Sequence, residues 1–249
     1  MKSVKNLNFC KDLYLDLFLP SKEEFYTIIN FHGGGLLEGD KGDTHQYCEY
    51  LASLGFAVAT ANYSLLTEED FPECLYDAAQ AVRYVIKHIS KYGKSRGFIV
   101  AGQSAGAWIT LMLCFKKDYL KSVGIENNEI CGWVSDSGQT TSHFNILERA
   151  KHLNPWVQRI DETAPLYYVD ERVNFSRLLL LAYEKDLPNR VEQNELLMST
   201  ILNFNKKLNV RFEILDGYHC SGSSELNEDG EYEAARMIRE WVAINEKKY

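Results

Sequence analysis

Short, almost continuously apolar segments alternate with longer helix-like segments along most of this 249-residue chain. Strand-like runs occupy residues 26–31, 56–63, 97–101, 130–134, 177–182 and 210–215. Helix-like runs occupy residues 44–54, 72–92, 105–115, 190–208 and 231–245. Strands that are apolar on both faces and separated by helices predict a mostly parallel sheet with helices on both sides. The predicted fold class is therefore α/β, with a twisted sheet of about seven or eight strands.

The alternation continues to the end of the chain without a repeat or a low-complexity linker, which predicts a single domain over residues 1–249. Residues 13–19 alternate apolar and polar side chains, as an edge strand does. Residues 137–175 fit the alternation least well. We interpret them as a small cap or loop segment over the active site.

Charge and cysteine usage exclude some classes of function. A formal net charge of -8 disfavours binding to nucleic acid or to an anionic membrane, because both require a basic surface. The six cysteines form no C-x-x-C pair and read as free thiols of a reducing compartment. The N-terminal residues show no apolar signal-peptide region, so we expect a cytoplasmic protein; the oligomeric state stays open.

A nucleophile motif lies between a predicted strand and a predicted helix. Residues 102–106 read G-Q-S-A-G and match G-x-S-x-G, a pattern that chance alone supplies in roughly one chain of this length in ten. The strand–turn–helix setting is what makes the match specific, because a nucleophile elbow exposes its serine on a sharp turn of that kind. Ser104 is the predicted nucleophile. The alternative is a plain turn rich in small residues.

A glycine run follows an earlier predicted strand. His32, Gly33, Gly34 and Gly35 come directly after residues 26–31. Acyl transfer creates an oxyanion that preorganised N–H groups must stabilise, and glycines allow a close approach of backbone to substrate. We predict an oxyanion hole made by the N–H groups of Gly34, Gly35 and Ala105, with Gly33 as the alternative to the first two. His32 is expected to anchor this loop, which lacks the spacing of a phosphate-binding turn.

A serine hydroxyl needs a base, and the base needs an acid to orient it. Of the six histidines, His219 follows the last predicted strand and therefore lies at the carboxyl edge of the sheet, where ligands bind in such folds. Asp186 follows the strand at 177–182 and reaches the same edge, with Glu184 as its closest rival. Asp136 follows a different strand, and Asp216 is too close to the end of its own strand.

With these motifs in place, the sequence resembles the α/β-hydrolase superfamily, in its HGGG-containing esterase/lipase branch with compact feruloyl- and acetyl-esterase-like members. The order Ser104, Asp186, His219 matches the order of the catalytic residues in that superfamily. Residues 61–65 (ANYSL) are similar to an N-Y-R-L segment of the branch, with Ser64 in place of arginine. Residues 163–166 (TAPL) look like the S-P-L stretch that precedes the acid-bearing strand.

The resemblance implies a serine esterase that cleaves small or short-chain carboxylic esters through an acyl-enzyme, without metal or organic cofactor. An amidase, a thioesterase or a small peptidase on the same residues remains an alternative, because a fold does not determine the leaving group. A non-catalytic binding protein of the same fold is the alternative from another class. Leu36, Phe144 and Trp156 are candidates for the wall of the substrate site, or for ordinary core packing.

Overall fold

Eight strands form one sheet in the computed structural model, which describes residues 2–67, 69–150, 154 and 157–246. The strand order is β1-β2-β4-β3-β5-β6-β7-β8. The strands are β1 (Lys2–Cys10), β2 (Leu13–Leu19), β3 (Glu24–Phe31), β4 (Ala57–Ala61), β5 (Lys94–Gln103), β6 (Ile130–Asp136), β7 (Arg177–Lys185) and β8 (Asn209–Tyr218). β2 pairs antiparallel with β1 and β4, and every other neighbouring pair is parallel. The predicted α/β class with a mostly parallel sheet is confirmed.

Helices connect the strands. They are α1 (His45–Ser53), α2 (Glu73–His88), α3 (Ala105–Phe115), α4 (Asp118–Ser122), α5 (Phe144–Arg149), α6 (Arg190–Phe204), α7 (Ser221–Ser224) and α8 (Glu233–Glu246). Short 3-10 turns cover Lys41–Thr44, Ile89–Lys91, Asn127–Glu129 and Pro165–Tyr168. Within the described residues, no helix combines the length and the apolar character that a bilayer crossing requires.

The core has two layers because neighbouring residues of a strand face opposite sides of the sheet. On β3, Ile29 belongs to the layer that also contains side chains of α2, α3 and α6, whereas Ile28 belongs to the layer with side chains of α1 and α8. Both residues are fully buried. A strand covered on both faces needs apolar side chains at successive positions, which explains the continuous apolar runs that predict the sheet.

The prediction that residues 13–19 form the edge strand is wrong. β2 lies between β1 and β4, and the edge strand on this side of the sheet is β1. The polar residue that suggested exposure, Asp16, is buried and accepts hydrogen bonds from His45 Nε2 at 2.7 Å and from the Asn6 N–H at 2.7 Å. Lys41 Nζ lies 3.3 Å from the same carboxylate. Asp16 is therefore a satisfied buried carboxylate rather than a solvent-facing residue.

The carboxyl ends of the parallel strands meet at one edge of the sheet. β3 ends at Phe31, paired with Gly102 of β5, and the glycine run follows it. β5 ends at Gln103, paired with Asp136 at the end of β6. β7 and β8 end at Lys185 and Tyr218, which are also paired. The residues directly after these strands are thereby brought to the same edge.

Residues 137–150 run across this edge and then into a stretch of which 151–153 and 155–156 lie outside the described residues. Two backbone hydrogen bonds hold the segment together, from Ser142 N–H to Arg159 O at 2.8 Å and from Leu166 N–H to Thr140 O at 3.0 Å. The Thr140 hydroxyl donates to Gln193 O on α6 at 3.0 Å. The segment is thus attached to the fold through α6.

Candidate active site

Ser104 occupies a strained turn between β5 and α3. Its φ of 53° with ψ of -112° is a conformation that costs a residue with a side chain about 1–3 kcal/mol. The turn is held by a hydrogen bond from its N–H to Asp136 O at 2.8 Å. A Cβ on Gly106 would lie 2.0 Å from Phe31 O, so only glycine lets α3 approach β3 this closely. The turn therefore presents the Ser104 hydroxyl at the carboxyl edge of the sheet.

A chain of hydrogen bonds joins the three sequence-predicted residues of the triad. His219 Nε2 lies 2.8 Å from Ser104 Oγ, and His219 Nδ1 lies 2.5 Å from Asp186 Oδ1. The His219 side chain is 24% exposed, whereas that of Asp186 is 1% exposed. An imidazole between a hydroxyl and a buried carboxylate is arranged to take a proton from the hydroxyl while its other nitrogen donates to the carboxylate.

The surroundings of Asp186 favour its ionised form. Burial alone raises the pKa of this carboxyl, but the hydrogen bonds from His219, from the Leu187 N–H and from the Ser137 hydroxyl outweigh it and bring the pKa below its ordinary value. The Leu187 N–H is 2.7 Å from Oδ1 and Ser137 Oγ is 2.8 Å from Oδ2. Ser137 also accepts from the Cys220 N–H at 3.1 Å and so ties the acid turn to the base turn.

The other carboxylates considered from the sequence stand apart from the imidazole. Glu184 and Asp216 are exposed, and neither has a hydrogen bond to His219 among the described contacts. Asp136 is fully buried and accepts from Tyr183 Oη at 2.9 Å and Ser223 Oγ at 2.5 Å. Burial raises the pKa of Asp136 to about 6, although these two hydrogen bonds oppose the shift. Asp136 therefore binds Tyr183 and Ser223, whereas Asp186 contacts the base.

The glycine loop lies against the nucleophile. A Cβ on Gly33 would sit 3.4 Å from Ser104 Cβ. Gly34 and Gly35 have φ values of 105° and 62°, which favour glycine. Their N–H groups donate to no acceptor in the described part of the chain. Ala105, the first residue of α3, has an N–H without an intrahelical acceptor.

His32 stabilises this loop through its ring and its backbone carbonyl. Its Nδ1 lies 2.7 Å from Gly33 O, and its ring stacks on Tyr63 with centroids 4.4 Å apart. The Tyr63 hydroxyl donates to His32 O at 2.9 Å. Burial lowers the pKa of His32, which keeps the ring neutral. The position matches the anchoring expected from the sequence and lies outside the Ser104–His219–Asp186 chain.

Asn145, which the sequence did not single out, reaches the same loop from α5. Its Nδ2 donates to Gly35 O at 2.6 Å. A Cβ on Gly35 would lie 2.7 Å from that nitrogen, so a side chain at position 35 would displace the Asn145 amide. Asn145 therefore fixes the position of the loop from the segment that crosses the sheet edge.

The three candidate wall residues behave differently. Leu36 is fully buried in the core. Phe144 is half-buried and stacks on the His143 ring with centroids 4.5 Å apart. Trp156 lies outside the described residues.

A concavity of about 620 Å³ lies elsewhere, between the C-terminal end of α3 and residues 167–174. The 11 residues of α3 span about 16 Å, which separates this concavity from Ser104. It contains none of the residues that contact the triad.

Comparison with known proteins relates the chain to ester-cleaving proteins. A family model described as BD-FAE matches residues 15–134, a range that includes the glycine loop and Ser104. "Esterase LipI" of Mycobacterium tuberculosis is 35% identical over 97 residues, which is 38% of this chain and 30% of that protein. Human "Hormone-sensitive lipase" is 34% identical over 90 residues, which is 35% of this chain and 8% of that protein. The matches thus span less than a third of these relatives.

Solved structures resemble nearly the whole chain. Esterase B from Lactobacillus Rhamnosis superposes with a TM-score of 0.81 at 16% identity and covers 99% of this chain and 87% of its own. Thermogutta terrifontis esterase 2, phosphoramylated by tabun, gives a TM-score of 0.78 at 15% identity, with 97% and 94% covered. At these identities the similarity shows the fold.

Proposed function

Because this chain belongs to the α/β-hydrolase superfamily, in its esterase and lipase group, we propose that it is a serine carboxylesterase acting on small or short-chain esters. The observation that carries the proposal is the hydrogen-bonded chain from Ser104 through His219 to Asp186, beside a glycine loop whose Gly34 and Gly35 N–H groups have no acceptor within the described residues. This set of groups supplies a nucleophile, a base and an oxyanion hole at one edge of the sheet.

In the first half of the reaction, His219 Nε2 takes the Ser104 proton while Oγ attacks the ester carbonyl carbon. The carbonyl π electrons move to its oxygen, and the N–H groups of Gly34, Gly35 and Ala105 stabilise the resulting oxyanion. Each such donor is worth on the order of 3 kcal/mol. Asp186 stabilises the imidazolium through Nδ1. The tetrahedral intermediate then expels the alcohol, which leaves with the proton from His219.

In the second half, water attacks the acyl-enzyme while His219 takes one of its protons. The same N–H groups hold the second oxyanion. Collapse of this intermediate breaks the bond to Ser104 Oγ, which recovers its proton from His219, and the carboxylic acid is released. Apart from the ester and water, these steps use only side chains and backbone N–H groups of this chain.

Two observations support a small acyl group. Thermogutta terrifontis esterase 2 has been solved with propionate and with butyrate bound, and Esterase B has been solved inhibited by a tributyrin phosphonate. In this chain, residues 137–150 reach the carboxyl edge, where Asn145 contacts the glycine loop. We propose that residues 137–175 form a small cap on a single α/β-hydrolase domain.

The six free thiols are also consistent with work in a reducing compartment, and we propose the cytoplasm. Cys48, Cys74 and Cys114 are buried, where burial raises the pKa of each thiol, so they serve as apolar packing rather than as nucleophiles.

A fluorophosphonate probe tests the nucleophile. We expect covalent labelling of the wild type and of Ser53→Ala, an exposed serine on α1, and loss of labelling in Ser104→Ala. Unlabelled wild type, or equal labelling of Ser104→Ala, would contradict the proposal. A series of nitrophenyl esters from acetate to decanoate, run beside matched anilides and thioesters, tests the substrate class. Faster turnover of the long-chain esters, the anilides or the thioesters would contradict the proposed preference for short-chain esters.

A further inference from the structure

Arg190 is a buried cation beside the candidate active site. It is the first residue of α6, four positions after Asp186, and is only 4% exposed. Within the described part of the chain, its Nε and Nη1 have no hydrogen-bond partner, and its guanidinium forms no salt bridge. Buried charges in proteins are ordinarily paired, so this guanidinium needs an explanation.

A second buried arginine shows the usual arrangement. Arg177, at the start of β7 and 7% exposed, donates from Nε to Cys131 O at 2.9 Å. Its guanidinium also lies over the Trp241 ring, 4.4 Å from the centroid. The buried guanidinium of Arg177 therefore has partners, whereas Nε and Nη1 of Arg190 have none within the described residues.

Electrostatic interactions place Arg190 next to the reacting residues. Asp186 and Cys220 act on its guanidinium, and its own charge acts on His143. The Asp186 carboxylate is already engaged by three donors, and burial keeps the pKa of the Cys220 thiol well above its ordinary range. Burial and the Arg190 charge lower the pKa of His143 to about 3, so that ring is neutral. The guanidinium thus has no dedicated counterion among these groups.

The residues near Arg190 connect it to the base and to the glycine loop. Asp186 contacts the base, and Cys220 directly follows His219. On the other side, His143 stands two residues before Asn145, which holds Gly35 of the glycine loop. Trp108, whose ring lies 5.6 Å from that of His143, has a further buried donor, Nε1, without an acceptor in the described residues. Within the described residues, Arg190 and Trp108 thus both have donors without acceptors near His143, and such donors suit an acceptor-rich anionic group.

We propose that Arg190 binds a free carboxylate of the substrate, so that the enzyme prefers esters that carry a second, ionised carboxyl group. The inference rests on the proposed esterase function and names its substrate class. A guanidinium matches a carboxylate with two parallel hydrogen bonds, and the low dielectric of a buried site strengthens the pairing. Half-esters of dicarboxylic acids have this chemistry.

The test compares two esters of the same phenol that are matched in length, the hydrogen glutarate and the hexanoate. We expect the wild type to favour the glutarate by about tenfold or more in kcat/KM, mainly through a lower KM, as uniform binding of a remote group requires. Arg190→Gln should reduce this ratio by about tenfold or more, and Arg190→Lys by less, since it keeps the charge but not the fork. Arg177→Gln, the matched buried arginine, should leave the ratio as in the wild type. A second pair, the acetyl ester of hydroxybenzoate and phenyl acetate, shows whether the enzyme binds a carboxylate on the alcohol part of the ester instead of the acyl part.

Equal turnover of the charged and neutral members in both pairs by the wild type would overturn the proposal, and so would an equal loss on both members of the favoured pair in Arg190→Gln. If Arg190→Gln does not fold, free glutarate still decides, because it should slow fluorophosphonate labelling of the wild type more than hexanoate does. Failure of the esterase function itself looks different, since the wild type would then neither hydrolyse any ester nor accept the fluorophosphonate.

Discussion

Replacing Asp186 with asparagine isolates the charge of the proposed acid. Asp186 Oδ1 accepts from both His219 Nδ1 and the Leu187 N–H, whereas Oδ2 accepts from the Ser137 hydroxyl. An asparagine offers a single acceptor oxygen. Because two donors converge on the Oδ1 position, we expect the amide oxygen there and the amide nitrogen towards Ser137. His219 then keeps its orientation and its Nδ1 proton but loses its anionic partner.

The size of the effect follows from that geometry. An opposite charge at about 4 Å, with an effective dielectric constant of about 20, stabilises the imidazolium by about 4 kcal/mol. At about 1.4 kcal/mol for each factor of ten, kcat should fall by about 10³. A triad in which the amide forces the wrong imidazole tautomer loses about 10⁴, so a loss near 10³ indicates that the Leu187 N–H has held the amide oxygen in place.

The assay is hydrolysis of nitrophenyl butyrate, with the active fraction counted by fluorophosphonate titration. Glu184→Gln, an exposed carboxylate on the same turn, is the control and should stay within about twofold of the wild type. A loss of less than about tenfold in Asp186→Asn, or a larger loss in Glu184→Gln, would refute the assignment of the acid.

Two further substitutions test groups that support the site. Asn145→Leu removes the hydrogen bond to Gly35 O. Because one net hydrogen bond is worth about 1 kcal/mol, kcat should fall about five- to tenfold with KM little changed. The control is Glu148→Gln, an exposed residue on the same helix, and an equal effect there would contradict the role of the Asn145 contact. Asp136 has a folded-state pKa raised to about 6 from 3.8, so the native state keeps a proton that the unfolded chain releases, and the wild type should lose stability as the pH rises from about 4 to about 6. Asp136→Asn lacks this titration. In urea unfolding, the free energy of unfolding of the variant minus that of the wild type should therefore increase by about 3 kcal/mol between about pH 4 and about pH 6. A difference that stays constant over this pH range would contradict the argument from burial.

Most of the sheet was predictable because its strands are buried on both faces and therefore have local apolar runs. β1 was not, since its side chains are mostly half-buried or exposed and present no such run. The place of β2 was misjudged for a different reason. Its polar Asp16 is satisfied by Lys41 and His45, which are 25 or more positions away in the chain, and no local pattern records such a pairing.

The residues of the candidate site were also predictable only in part. Ser104, Asp186 and His219 each follow a strand directly, so position along the chain was enough to place them at one edge, and the structure brings them into contact. Asn145 was missed because its contact with Gly35 spans 110 residues and begins in an irregular segment. Ser137 and Arg190 carried a usable signal. Ser137 directly follows β6, as Asp186 follows β7, and Arg190 opens a helix at the same edge.

The order of the strands also sets when the molecule can become reactive during synthesis. The glycine loop and the Ser104 turn belong to the centre of the sheet, but His219 follows the outermost strand and is separated from Ser104 by 115 positions. A nascent chain that has formed β3 and β5 therefore carries an inert hydroxyl until β7 and β8 have emerged and docked. Reactivity towards a fluorophosphonate thus reports the last step of folding. Truncated chains that lack β7 and β8 also lack the acid and the base that activate Ser104.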